Sequence, residues 1–321
     1  MSDLFERIAA AHAAIRPAVS VTPLEASGVL SEALGVRVFL KCEHLQPTGS
    51  FKLRGASNKL RLLDADARRA GVITASTGNH GLAVARAGAL LRVPVTVYVA
   101  ASSSPMKLAA IAAQGAATVR VDGAPIDAEL AARDAGLREG KVYVSPYNDV
   151  DVMAGQGTLG MELATQHEAL DAVFIAVGGG GLIGGAGTAL KRLSPRTRVI
   201  GVWPEHSPCL LRALEAGEVV DVVEKDTLSD GTAGAVEPGS VTLPVCRDVI
   251  DETVTVSEQE IADAMRRIAS AERWMVEGAA GVALAGLVKT AAAWRGRQVA
   301  VVLCGRNISL ETWLAAVARG A

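Results

Sequence analysis

The stretch Val173-Phe174-Ile175-Ala176-Val177-Gly178-Gly179-Gly180-Gly181-Leu182-Ile183-Gly184 decides the fold. Its first five residues are apolar and rich in β-branched types, so they read as a buried strand. The residues after the glycines open a helix. Between them, the glycine run lets backbone come close to an anion such as phosphate. As a flexible turn alone it would carry a large entropic cost. A second segment has the same order: Val72–Thr74 as strand, Ser76-Thr77-Gly78-Asn79-His80-Gly81 as loop, Leu82–Leu91 as helix.

Working outward, further strand-like runs stand at Val36–Leu40, Val95–Val99, Thr118–Val121, Val142–Val144, Val199–Val202 and Val299–Leu303. Helical patterns fill the gaps at Met106–Gln114, Ala128–Leu137, Glu258–Ala271 and Val282–Ala293. Ser2 and Asp3 open an amphipathic helix, with Glu6 spaced as in a capping box. Mostly apolar strands alternating with helices imply parallel sheets covered on both faces, an α/β fold. Ligands of such sheets bind beyond the carboxyl ends of the strands, which points to the two loops. Asp226–Pro244 is the least regular segment.

With 321 residues, half of them hydrophobic, the chain is long enough for two packed lobes. Only 3% are aromatic, so the core is built from Ala, Val, Leu and Ile. A net charge of -2 favours neither nucleic acid nor an anionic membrane surface. The N-terminus lacks the basic-then-apolar order of a signal peptide, and the apolar stretch Gly278–Val288 is too short for a bilayer. Cys42, Cys209, Cys246 and Cys304 form no C-x-x-C pair and suggest neither a disulfide framework nor a zinc site. A cytoplasmic location is expected.

Three constellations carry chemistry. Lys52, in Thr48-Gly49-Ser50-Phe51-Lys52-Leu53-Arg54-Gly55-Ala56, follows a small-residue turn and precedes a helical run. A lysine on a polar stretch is usually a solvated charge, but one buried at such a turn loses its proton and attacks carbonyls. Phe51 either covers a ring or belongs to the core. In the Ser76–Gly81 loop, backbone N–H groups, two hydroxyls and the Asn79 amide suit an anion. His80 is a candidate base, although helix capping or packing against the loop explains it as well. The third constellation is Gly178–Gly181. A rival reading uses Gly179, Gly181, Gly184 and Glu205, which fit the G-x-G-x-x-G fingerprint of a nicotinamide-dependent dehydrogenase. Its mid-chain position and the two unexplained loops weigh against it. A non-catalytic binding module, with Lys52 as a surface charge, is the blandest alternative.

Five motifs in one order resemble fold-type II pyridoxal-phosphate enzymes, the group of threonine dehydratase, serine dehydratase and serine racemase. They are Ser50–Ala56, Ser76–Gly81, Ala154-Gly155-Gln156-Gly157-Thr158, Gly178–Gly181 and Leu303-Cys304-Gly305-Arg306-Asn307, and the likeness runs from Thr22 to Asn307. The resemblance implies a tryptophan-synthase-β-like fold, with a large cofactor domain from residues 1–63 and 149–321 and a small mobile domain from 64–148. Pyridoxal 5'-phosphate would sit on Lys52 as a Schiff base, flanked by Phe51, with Asn79 on its 3-hydroxyl and Gly178, Gly179, Gly180 and Gly181 on its phosphate. Cys304 would face the pyridine nitrogen, and Glu277 would lie near the cofactor. Ser76, Thr77, Asn79 and His80 would hold the substrate carboxylate.

The implied activity is that of a dehydratase (ammonia-lyase). Lys52 takes the Cα proton of a β-hydroxy amino acid, by default L-threonine or L-serine, and the products are a 2-keto acid and ammonia. A neutral Cys304 thiol favours elimination over transamination. Other β-hydroxy amino acids, such as 3-hydroxyaspartate, phenylserine or a hydroxyectoine breakdown product, are alternatives. Racemisation is another; Thr77 stands where serine racemases place a catalytic serine, which tilts the reading towards dehydration. Relatives that bind a divalent cation use a carboxylate where Trp203 stands and another at the Cys209 position, so no metal is expected there. The chain stops soon after the Cys304 motif, so end-product regulation is not expected. The family suggests a homodimer.

Overall fold

The computed structural model describes residues 2–76, 78–103, 105–123 and 125–318. Among the described residues, ten strands form two sheets: β1 (Leu24–Ser27), β2 (Arg37–Lys41), β3 (Val72–Ala75), β4 (Val95–Ala100), β5 (Ala117–Val121), β6 (Val142–Tyr143), β7 (Ala172–Ala176), β8 (Arg198–Pro204), β9 (Glu252–Val256) and β10 (Gln298–Val302). The larger sheet has the order β1-β2-β10-β7-β8-β9 and the smaller β5-β4-β3-β6. Every pairing is parallel except β1 with β2. The α/β reading holds, and all eight expected strands are present with ends moved by one or two residues.

Two strands were not expected from the sequence. Both β1 and β9 are edge strands, and their faces are largely half-buried or exposed. β1 (Leu-Glu-Ala-Ser) offers neither an apolar run nor a strict alternation, whereas the Thr253-Val254-Thr255-Val256 alternation of β9 is a signal that the sequence reading passed over. The central strands show the opposite pattern: all five residues of β7 are buried. At the N-terminus the helix Ser2–Ala14 forms as expected, and Asp3 pairs with Arg7. Ser257 and Glu260 form a capping box at the start of the helix Glu258–Glu272.

The low aromatic content has a structural counterpart in close helix crossings. Helix Val150–Gln166 meets helix Gly181–Leu193 at small residues. A Cβ at Gly185 would lie 2.3 Å from the Met153 carbonyl oxygen, and one at Gly160 would lie 2.4 Å from that of Ala186. Backbone packs on backbone there, which leaves no space for large side chains.

Candidate active site

Lys52 is the first residue of the helix Lys52–Arg61 and is half-buried. The turn before it is pinned to the end of β10: Phe51 N–H donates to the Cys304 carbonyl at 3.1 Å, and Ser50 pairs with Gly305. The Lys52 ammonium lies 5.2 Å from the centre of the Phe51 ring and donates to the Pro146 carbonyl at 2.9 Å. Burial lowers its pKa to about 8, against the opposing pull of Cys304 and Glu277. An amine so placed is a far better nucleophile and base near neutrality than a surface lysine.

Tyr147, beside Pro146, packs on the glycine loop. A Cβ at Gly179 would lie 2.4 Å from its ring, and one at Gly178 would meet the Thr232 carbonyl oxygen at 2.7 Å. Gly180 takes a left-handed conformation (φ 87°) and caps the helix Gly181–Leu193 without a side-chain hydrogen bond. Thr242 Oγ1 donates to the Gly179 carbonyl at 2.7 Å and holds the loop from behind. The first-turn amides of the helix have no side-chain cap, which suits them to phosphate.

The other loop lies beyond β3. Ser76 Oγ accepts from Gly78 N–H at 3.1 Å, and Gly78 starts the helix Asn79–Leu91, again with no side-chain cap. Asn79 Nδ2 donates to Glu277 Oε1 at 2.8 Å. Thr77 lies outside the described residues. His80 is buried; its Nε2–H donates to the Val144 carbonyl at 2.9 Å, so its side chain packs against the loop instead of pointing at solvent. Burial, then the charge of Lys52, lowers the His80 pKa to about 3, so the ring is neutral.

Glu277 is the hub of the opposite wall. It accepts from Asn79 and from Asn307 N–H at 2.9 Å, and a Cβ at Gly305 would lie 2.3 Å from its Oε1. Burial, reinforced by Asp230, raises its pKa to about 7 despite these donors. Cys304 is buried, and burial followed by the field of Glu277 raises its thiol pKa well above the ordinary range, so it is a neutral thiol.

The structure thus links these residues: Lys52 lies by the Phe51 ring and within the charge field of Cys304 and Glu277, Asn79 ends on Glu277, and the glycine loop packs on Tyr147, next to the Pro146 that takes the Lys52 amine. Sequence reasoning missed Pro146, Tyr147 and Thr242, which have no motif of their own. Asn307 was in a quoted motif, but its role as donor to Glu277 had no sequence signal. Trp203 is fully buried in β8 with its ring folded over Gly201. The nearby Cys209 thiol is pushed up to about 11 by burial and Glu224, and Glu224 itself accepts from Gly234 N–H at 2.9 Å.

An aldehyde-bearing phosphate cofactor fits these residues: an amine of lowered pKa, an uncapped helix behind glycines that admit no Cβ, and two buried polar atoms, Ser50 Oγ and His80 Nδ1, with no partner among the described residues. Comparison with known proteins agrees. Residues 15–305 match the family of pyridoxal-phosphate dependent enzymes, and the chain belongs to that family. It is 39% identical over 306 residues to the L-threonine ammonia-lyase of Geobacter sulfurreducens, covering 95% of this chain and 76% of that one. It is 35% identical to the L-threo-3-hydroxyaspartate ammonia-lyase of a Pseudomonas species, covering 91% of each. Among solved structures, the processed form of threonine deaminase isoform 2 from Solanum lycopersicum superposes with a TM-score of 0.95 at 31% identity, over 100% of this chain and 94% of that one. The protein is a pyridoxal-phosphate dependent lyase of fold type II, which removes the nicotinamide reading. Glu205, the acidic residue of that reading, lies near Lys289 at 3.7 Å.

Proposed function

We propose that the chain dehydrates and deaminates a β-hydroxy amino acid, by default L-threonine or L-serine, to a 2-keto acid and ammonia. The observation that carries this is the Lys52 amine, with its pKa lowered by burial to about 8, held on the Pro146 carbonyl next to Tyr147, which packs on the glycine loop. Bound on Lys52, pyridoxal phosphate supplies an electron sink that acidifies the substrate Cα–H. Gly178–Gly181 would hold its phosphate through backbone N–H groups. Asn79 would meet the ring hydroxyl, Phe51 one ring face, and Cys304 the pyridine nitrogen. The neutral Cys304 thiol does not hold a proton on that nitrogen, which favours elimination over transamination.

Lys52 would act as the base: its Nζ would take the Cα proton and, once protonated, give a proton to the departing β-hydroxyl, which leaves as water. Ser76, Thr77, Asn79 and His80 would bind the substrate carboxylate at the uncapped terminus of helix Asn79–Leu91. His80 would do this through its backbone N–H, since its ring is neutral and turned to the Val144 carbonyl through Nε2.

Residues 64–148 would form the small lobe, built on the four-stranded sheet, and close over substrate against residues 1–63 and 149–321. The protein would act as a cytoplasmic homodimer. All four cysteines are free and buried, in keeping with a reducing compartment, and among the described residues no helix is long and apolar enough to cross a membrane.

Ammonia release from a panel of β-hydroxy amino acids of both configurations, with Lys52→Ala as control, tests the reading. Turnover of L-threonine or L-serine names the substrate. Turnover of 3-hydroxyaspartate alone keeps the chemistry and replaces the substrate. No ammonia from any of them removes the dehydratase reading.

A further inference from the structure

The motif Ala154-Gly155-Gln156-Gly157-Thr158 has no part in the site described above, yet it lies on the helix packed along the one that Lys52 opens. Arg54, two residues after Lys52, is fully buried. Its guanidinium donates to Glu43 through Nε at 2.7 Å and Nη2 at 2.7 Å, and to Glu162 through Nη1 and Nη2, both at 2.8 Å. Nη1 also donates to Thr158 Oγ1 at 3.0 Å. Lys41 Nζ adds a second cation to Glu162 at 2.6 Å.

The grip continues along both helices. Gly55 N–H donates to Gln156 Oε1 at 3.3 Å, Asn58 Nδ2 to the Asp151 carbonyl at 2.6 Å, and Lys59 Nζ pairs with Asp149 at 2.7 Å. A Cβ at Gly155 would lie 2.5 Å from the Arg54 carbonyl oxygen. Two helices locked at this separation, by charge at one end and backbone contact in the middle, cannot slide past each other.

Sliding is what matters to Lys52. Lys52 is the first residue of one helix, and Pro146, whose carbonyl takes its amine, is joined through Tyr147 and Asn148 to Asp149, the cap of the other. The two ends of the Lys52–Pro146 contact therefore hang on the two clamped helices. We propose that Arg54, gripped by Glu43, Thr158 and Glu162, is a positioning residue that sets where the Lys52 amine stands in the site. The proposal rests on the reading of Lys52 as the cofactor-bearing lysine. A planar, forked guanidinium is required because a single ammonium cannot span two carboxylates and a hydroxyl.

The test uses Arg54→Lys, Thr158→Val and Glu162→Gln in the whole protein. Three quantities are read: pyridoxal-phosphate affinity, the kcat and KM of the holoenzyme, and the apparent pKa of Lys52 in cofactor-free protein, from pH-dependent amine labelling and mass spectrometry. In folded variants, cofactor affinity and kcat fall about tenfold or more, as expected when a reacting group is misplaced by around 1 Å, while KM changes little. The Lys52 pKa moves from its wild-type value, and Arg54→Lys is affected less than Glu162→Gln. Thr158→Val removes one acceptor at nearly constant volume, so it decides the matter if Glu162→Gln does not fold. A folded Thr158→Val or Arg54→Lys with unchanged Lys52 pKa and cofactor affinity overturns the proposal. Borohydride reduction of the wild type and peptide mapping separate the two claims. Cofactor on another residue removes the Lys52 reading itself, whereas cofactor on Lys52 with unaltered variants removes only the clamp.

Discussion

Burial and charge act in opposite directions on the Lys52 amine, and burial prevails. Its folded pKa is about 8 against an ordinary 10.5. The unfolded chain therefore keeps a proton that the native state has lost between these values, and stability of the cofactor-free protein rises with pH across that window. Lys52→Met abolishes the rise, as chemical denaturation at several pH values will show. Glu277 has the opposite sign. Its folded pKa is about 7 against an ordinary 4.5, so its contribution is complete below the lower value and is lost as pH climbs to the upper one. Glu277→Gln flattens that loss. It also removes the negative charge that partly supports the Lys52 ammonium, so the apparent pKa of Lys52 falls further, which amine labelling measures. Lys52, Asn79, Glu277 and Cys304 were all legible as candidates from the sequence. That Asn79 and Asn307 both end on Glu277 was not, because those contacts join residues far apart in the chain.

At the scale of the element, the glycine loop shows how local sequence and tertiary contact combine. A run of glycines between strand and helix is readable as an anion loop. Why each must be glycine emerges only in the packed molecule. Gly180 needs its positive φ, and a Cβ there would also meet Leu210 at 2.7 Å and Cys246 Sγ at 2.8 Å. Gly180→Ala should destabilise the protein by about 1–3 kcal/mol through backbone strain, with overpacking in addition. Urea denaturation gives the stability, and fluorescence titration the accompanying loss of pyridoxal-phosphate affinity. The strands teach the same lesson. Strands buried on both faces announce themselves as β-branched runs, whereas the edge strand β1, Leu-Glu-Ala-Ser, is defined by its pairing with β2.

At the scale of the molecule, ion pairs join helices beside the four-stranded sheet to the irregular segment 226–244: Arg133 with Glu237 at 2.7 Å, and Lys107 with Asp230. Lys107, on the helix Pro105–Ala112 beside the four-stranded sheet, lies 3.6 Å from Asp230 in the irregular segment that adjoins the glycine loop. Both charges act on Glu277, so the pair stands near the mouth of the site. With Asp230 71% exposed and Lys107 37%, the pair is worth at most about 1 kcal/mol. Lys107→Ala should raise KM by roughly fivefold or less and leave kcat nearly unchanged, the pattern of a contact that favours closure but takes no part in the chemistry. Steady-state kinetics at low and high salt check this, since added salt should shrink the difference between the two proteins.

The sequence by itself determined the α/β class and the strands of both sheet interiors, and through the resemblance carried by its motif order it pointed to the cofactor and to the lysine expected to bear it. Each is written locally: in periodicity, in glycine runs and in the order of short motifs. Only the tertiary structure decided that the Lys52 amine rests on Pro146, that Tyr147 backs the glycine loop, that the His80 ring turns inward, and that Arg54 is shared between Glu43 and Glu162. The physical reason is common to all four. Each depends on burial or on contacts closed between distant segments, and neither the low local dielectric nor the meeting of such segments exists until the chain has folded.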